Sequence, residues 1–473
     1  MLNRRQFLTH TLKGSSLIAF GSVVPSFVAG AAEAAKAGKD RILVVLELTG
    51  GNDGLNTVIP YGDDLYHKAR PTLRYRKDDV IRIDDHCGLN PGLRGLEEMR
   101  GNGQLAIVQG VGYPNPNRSH FESMDVWQSA DPRGKLASGW LGRSMGAVKV
   151  REGEIVGIHL GADQLPLALQ GSATGTPTID PARPYELILD GKVHNFRDLR
   201  LDGVESPEVE TVTEEKIEAS DPKEGEAAGK EKQIKPSKGP DPKAQKAAEK
   251  HRAERMTLIK DLTGQAADPR NDMLQFVRRS ALQTYTAVDR LRSLMIQRPQ
   301  PEEDIRFYSG RRENALATKL GLIARIIRAG FGTRIFYLAL DGFDTHANQR
   351  RDHEKLLEQL GSAVAGFFGQ LRKSGDTDRV VLMTFSEFGR RVQENGSKGT
   401  DHGAGSCLFV AGPKVKGGLV GKQPGLAREN LDAGDLRYQI DFRQVYATLL
   451  DRWLECDSRP VLGGRFEHVR LLK

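Results

Sequence analysis

The stretch Val380–Gly412, VVLMTFSEFGRRVQENGSKGTDHGAGSCLFVAG, decides how the chain is read. Val380–Phe385 is a short apolar run with charge before it, which predicts a buried strand. Ser386-Glu387-Phe388-Gly389-Arg390 leaves its end, and a second buried run opens at Ser406. Between them Thr400-Asp401-His402-Gly403 sets an acid beside an imidazole in what reads as a glycine-flanked turn. Open α/β sheets place their sites where strands end, so the polar excursion is the first candidate site.

Two other segments repeat the design. Ile42–Leu48 reads as a strand emptying into Thr49-Gly50-Gly51-Asn52-Asp53-Gly54, and Arg334–Leu340 as one emptying into Asp341-Gly342-Phe343-Asp344-Thr345-His346. If these strands are neighbours, their loops bring carboxylates and imidazoles to one sheet edge. Such donors hold zinc, manganese and similar ions, and a pair of ions can clamp both oxygens of a phosphoryl-type transfer.

The remaining elements follow from periodicity. Leu105–Val111 predicts a further strand, with the turn Gly112–Arg118 after it and a helix from Ser119. Ser119 and His120 then lie at a helix N-terminus, where free backbone N–H groups favour an anion. Ile155–Leu160 and Leu165–Leu169 read as strands, and Asn56–Pro60 as extended chain. Leu274–Met295 and Leu316–Ile327 carry apolar residues at three- and four-residue steps, so both read as amphipathic helices. Gly330 suits the position just past the second of these, and His353–Phe368 reads as the next crossover helix. Helices alternating with strands predict a three-layer α/β fold, a largely parallel sheet with helices on both faces.

At 473 residues the chain can bury a large core. Its net charge of +7 is mild and no nucleic-acid signature accompanies it, which argues against nucleic acid as a partner. Cys87, Cys407 and Cys456 show no metal-type spacing and read as small buried apolar residues. Residues 204–255 are dominated by Glu, Lys, Pro, Ala and Gly, too polar for a core, and read as a solvated insertion within a single domain spanning 40–472. Residues 1–34 read as a leader: Asn3-Arg4-Arg5-Gln6-Phe7-Leu8 resembles the twin-arginine export signal, with an apolar run too short to span a bilayer. The expected partner is the export machinery, the expected location periplasmic or secreted, with no membrane span in the mature protein.

The ordered set LELTGGNDGLNTVIP, PNRSHFE, LDGFDTHANQ and TFSEFGR…GTDHG resembles an exported bacterial family, domain of unknown function 1501. That family is grouped with the alkaline-phosphatase-like superfamily. The resemblance implies one or two divalent ions (zinc, manganese or calcium) held by Asp53, by Asp341 or Asp344 with His346, and by Asp401 with His402. It implies Ser119 as nucleophile. Glu387 and Arg390 read as a salt-bridged strand end, and in the functional reading Arg118 or Arg390 holds an anionic oxygen of a small ester substrate. The superfamily's late third histidine has no clear counterpart, His468 being a poor match, and the Cys-x-Pro-Ser-Arg of sulfatases is absent. P-loop and His-Glu-x-x-His motifs are absent as well. The expected activity is hydrolysis of phosphate or sulfate esters. The alternative is an exported non-catalytic partner or scaffold protein that keeps the fold, with at most a structural ion.

Overall fold

The computed structural model describes residues 40–150, 154–162, 164–172, 175–180, 186–189, 192–195 and 314–473. The expected leader, the charged insertion and the helix expected over Leu274–Met295 lie outside the described residues.

The apolar runs become strands: β1 (Ile42–Leu48), β2 (Leu105–Gly112), β3 (Gly157–Leu160), β4 (Thr178–Ile179), β5 (Glu186–Leu189), β6 (Lys192–Asn195), β7 (Ile335–Leu340) and β8 (Val380–Phe385). A hairpin of β9 (Arg390–Glu394) and β10 (Thr400–His402) follows, then β11 (Ser406–Ala411), β12 (Gly418–Val420) and β13 (Ile440–Asp441). One sheet runs in the order β12–β2–β11–β8–β1–β7–β3–β4–β5–β6, with β13 also on β2.

Its centre is parallel: β1 pairs with β7 on one side and β8 on the other, and β7 pairs with β3. The C-terminal ends of β1, β7 and β8 therefore share one edge, as the sequence predicts. The sheet as a whole is mixed, with parallel pairings in the majority. β11 runs antiparallel between β8 and β2, and β5 runs antiparallel to β4 and β6. A run buried on both faces carries no signal of direction. β11 is reached from β8 through a hairpin, with no crossover helix to restore the parallel sense. β2 keeps the sense of β1 but is separated from the parallel strands by β11.

Helices pack on both faces, because β1 is apolar at every position but Glu47 and must be covered twice. Ile42, Val44, Leu46 and Leu48 join the core beneath α2 (Ala315–Arg328) and α3 (Gln349–Ser374). Leu43 and Val45 join the opposite core with α1 (His120–Ser129), the helix Trp140–Met145 and α4 (Phe442–Leu449). That second core is aromatic: Trp127 stacks on Phe442 at 4.3 Å and Trp140 on Tyr446 at 4.1 Å. Each such pair adds about 0.5–1.5 kcal/mol beyond its buried area.

Three local readings change. Asn56–Pro60 is not simply extended: Asp53 caps a short helix, Gly54–Thr57, before a brief strand, Val58–Ile59. Leu165–Leu169 is not a strand, because Pro166 opens a 3₁₀ turn over Leu167–Leu169. Thr400–His402 is hairpin strand rather than turn. The three cysteines are free and buried. Among the described residues no helix is long and apolar enough to cross a membrane.

Candidate metal centre

The loops after β1, β7 and β8 interlock at the shared edge. Phe343, fully buried, anchors the 341–348 loop, and its N–H donates to Thr49 O at 3.1 Å. Gly50 adopts φ +114°, and a side chain there would collide with the backbone of Phe343 and Asp344. Glycine is what lets the first loop lie against the second. Gly399 plays the same part for the hairpin, since a Cβ there would overlap the His346 carbonyl.

Arg390 ties the loops together from below. Its buried guanidinium donates to Gly50 O, to Gly51 O at 2.7 Å, Thr400 O at 2.9 Å, Phe343 O at 3.0 Å and Asp344 Oδ1 at 2.7 Å. Burial alone would lift the Asp344 carboxyl. The hydrogen bond and charge of Arg390 lead the effects that outweigh it and bring its pKa down to about 2. Asp344 is thus an ionised carboxylate at any pH near neutral.

Around that carboxylate stand three imidazoles. Asp344 Oδ1 lies 3.0 Å from His346 Nε2, 3.2 Å from His402 Nε2 and 3.5 Å from His120 Nε2. The Nε2 atoms of His346 and His402 are 2.9 Å apart. Donor atoms of His120, Asp344 and His402 all lie within 4.8 Å of one another. Ligands on a tetrahedral zinc ion, each about 2.0–2.1 Å from it, stand roughly 3.3 Å apart. The separations given above, 2.9–3.5 Å, bracket that spacing.

The outward nitrogens fix the inward ones. His402 Nδ1 lies 2.8 Å from the carbonyl oxygen of Arg118, which can only accept, so Nδ1–H donates and Nε2 presents a lone pair. His120 Nδ1 lies 2.8 Å from Glu387 Oε1. His346 Nδ1 faces Asp401 Oδ1 at 3.6 Å. His120 Nε2 is buried and has no hydrogen-bond partner. An orphaned imidazole nitrogen, a second lone pair and a carboxylate oxygen facing one point make a donor set that suits a cation.

Of the residues expected at the site, Asp344, His346 and His402 meet directly. Asp401 stands behind His346 and accepts from Asn395 Nδ2 at 3.1 Å, a bond that holds its carboxyl below the ordinary range. Asp341 is exposed and outside the cluster. Asp53 is outside it too: 1% exposed, it accepts from Leu55 N, Asn56 N, Gln349 and, at 2.5 Å, Arg70. Arg118 spends its guanidinium on Asp435, with Nε at 2.8 Å and Nη2 at 2.6 Å. Arg390, 1% exposed and holding five acceptors, offers no face to a substrate. Ser119 is half-buried at the α1 N-cap, but its hydroxyl caps nothing. His468, at the far end of the chain, pairs with Asp451 at 2.6 Å.

Two residues escape the sequence reading. His120 is the additional histidine, and its signal was its place: the first turn of a helix beyond a strand of the same sense as β1. Glu387 reads in sequence as a salt-bridge partner of Arg390, yet Arg390 binds Asp344 while Glu387 binds His120.

The fold and the cluster together define an α/β protein with a histidine-rich candidate metal centre at its parallel sheet edge. The chain belongs to the family described as "Protein of unknown function (DUF1501)", whose match covers residues 226–463, about half of its length. That stretch carries Asp344, His346, Glu387 and His402; His120 precedes it. No curated protein matches the sequence.

Proposed function

We propose that this chain is an exported, metal-dependent hydrolase of phosphate or sulfate esters on an alkaline-phosphatase-like three-layer domain. His120, Asp344 and His402 hold one divalent ion, with His346 as a fourth donor. The observation that supports it is the convergence of three Nε2 atoms on Asp344 Oδ1, with two rings fixed from behind through Nδ1. A set rich in nitrogen favours zinc or manganese over calcium, which prefers an all-oxygen shell. When bound, the ion supplies Lewis acidity toward an ester oxygen.

The chain's own residues do the rest. Arg390 keeps Asp344 ionised, Phe388 packs 4.9 Å from His120 and 4.7 Å from His402 between ring centroids, and His346 stays open to solvent. Ser119, next to His120 in the chain, is the candidate nucleophile. Its oxygen bonds to phosphorus or sulfur as the ester's alkoxide departs with the hydroxyl proton, and water then releases the inorganic anion.

One observation favours the second reading, an exported non-catalytic partner or scaffold with at most a structural ion. Both arginines expected to grip the anion are already engaged, Arg118 by Asp435 and Arg390 by four backbone carbonyls and Asp344.

Metal analysis of protein expressed with zinc and manganese, followed by a panel of chromogenic phosphate and sulfate esters, separates the two. One equivalent of metal with turnover supports the hydrolase. Metal without turnover supports the partner, and no metal removes the hydrolase. Export is tested separately: Arg4→Lys with Arg5→Lys strands the precursor in the cytoplasm, and normal export of that variant defeats the leader reading.

A further inference from the structure

Glu387 is fully buried, and no Lys or Arg among the described residues pairs with it. Its Oε1 accepts from Gly50 N at 2.8 Å and lies 2.8 Å from His120 Nδ1, while Oε2 is 3.0 Å from Ser386 Oγ. A second buried acid, Glu47, is close enough that the two carboxylates repel. A lone buried carboxylate is costly unless positive charge stands nearby. The single imidazole beside it is the one whose other nitrogen is buried without a hydrogen-bond partner.

We infer that Glu387 is the positioning residue of the metal centre. It locks His120 in the Nδ1–H tautomer and supplies the negative charge that raises the donor strength of His120 Nε2. This rests on the metal reading above and adds to it a carboxylate–histidine–metal relay that acts through one ring only. It also gives the buried charge a reason: the cation that balances Glu387 is the ion on the far side of His120.

The geometry supplies a clean probe. In Glu387→Gln the amide oxygen still accepts from Gly50 N and His120 Nδ1. The amide nitrogen donates to Ser386 Oγ, whose hydroxyl already donates to Leu48 O at 2.7 Å. Every hydrogen bond survives and only the charge is lost. The full chain is titrated with zinc against a chromogenic chelator in four forms: parent, Glu387→Gln, His120→Ala, and the double variant. Zinc affinity is expected to fall about 10- to 100-fold in Glu387→Gln, with its melting temperature without metal close to the parent's. In the His120→Ala background the same substitution is expected to change nothing, because the relay has lost its ring. Parent-like zinc affinity in Glu387→Gln overturns the inference while leaving the metal centre standing. An equal further loss in the double variant overturns it as well, since Glu387 then acts by another route. A parent that binds no zinc removes the centre and the relay together.

Discussion

Asp53 and Asp344 occupy the same kind of place, a loop leaving a parallel strand, yet the protein uses them in opposite ways. Asp53 is sealed in: Arg70 neutralises it, Gln349 and two backbone N–H groups fill its lone pairs, and Arg70 in turn donates to the carbonyls of Arg391 and Val392. Burial pushes that carboxyl up, but Arg70 outweighs it and holds the group below its usual range. Asp344 is half exposed, and beside the Arg390 guanidinium three imidazoles face its Oδ1. One node is saturated. The other leaves a buried imidazole nitrogen, His120 Nε2, without a hydrogen-bond partner. The lesson is that the partners of an acid, more than its place in the topology, decide whether it serves structure or chemistry.

The comparison breaks most visibly at Arg70. Arg70→Ala leaves Asp53 buried without its counter-charge and is expected to cost about 3–5 kcal/mol in urea denaturation. Zinc bound per folded molecule should stay at the parent value. A cost under about 1 kcal/mol would show the node is not the sealed pair described.

Behind the Asp53 node lies His353, buried, bonded to Asn52 Oδ1 at 2.9 Å, and pushed by burial down to about 4. The unfolded chain protonates this ring near 6.5 and the folded one only near 4, so stability is full above 6.5 and falls as pH drops toward 4. The expected loss is at most about 3 kcal/mol, with His159, buried and also near 4, adding in the same window. His353→Gln keeps a donor for Asn52 and should flatten much of this slope. An unchanged slope assigns the effect elsewhere.

At the open cluster the sign reverses, because something must be added. Zinc at a hundredfold excess over its Kd is expected to raise parent stability by about 2.7 kcal/mol, an increment that His402→Ala abolishes. The smallest effect belongs to Ser119→Ala. With no cap bond to lose, it should change stability by about 0.5 kcal/mol or less and leave zinc binding intact. Loss of ester turnover in that variant would assign the nucleophile.

Much of this was legible in the chain. The β1, β7 and β8 runs and the helix C-terminus at Gly330, with φ +69°, stand where apolar patterning and glycine chemistry put them. Asp344, His346 and His402 converge because parallel neighbours end together. What escaped was pairing. Nothing in SEFGR says that Glu387 turns to a helix more than 260 residues earlier while Arg390 turns to Asp344. Nor does NDGLN say that Asp53 meets an arginine within a separate helix-and-turn excursion. Direction escaped for a similar reason: SCLFVA is as apolar as VVLMTF, and only the intervening hairpin reverses it.

The four donors lie at positions 120, 344, 346 and 402. An unfolded chain keeps only Asp344 and His346 within reach of each other, and a single neighbouring pair grips a divalent ion weakly. On the metal reading proposed above, a strong site would come into being only when β1, β7, β8, α1 and the hairpin have all docked. Metal uptake would then be the last event of maturation rather than a template for it. In any preparation of this protein, the fraction of metal-loaded chains would count the molecules that have completed their fold.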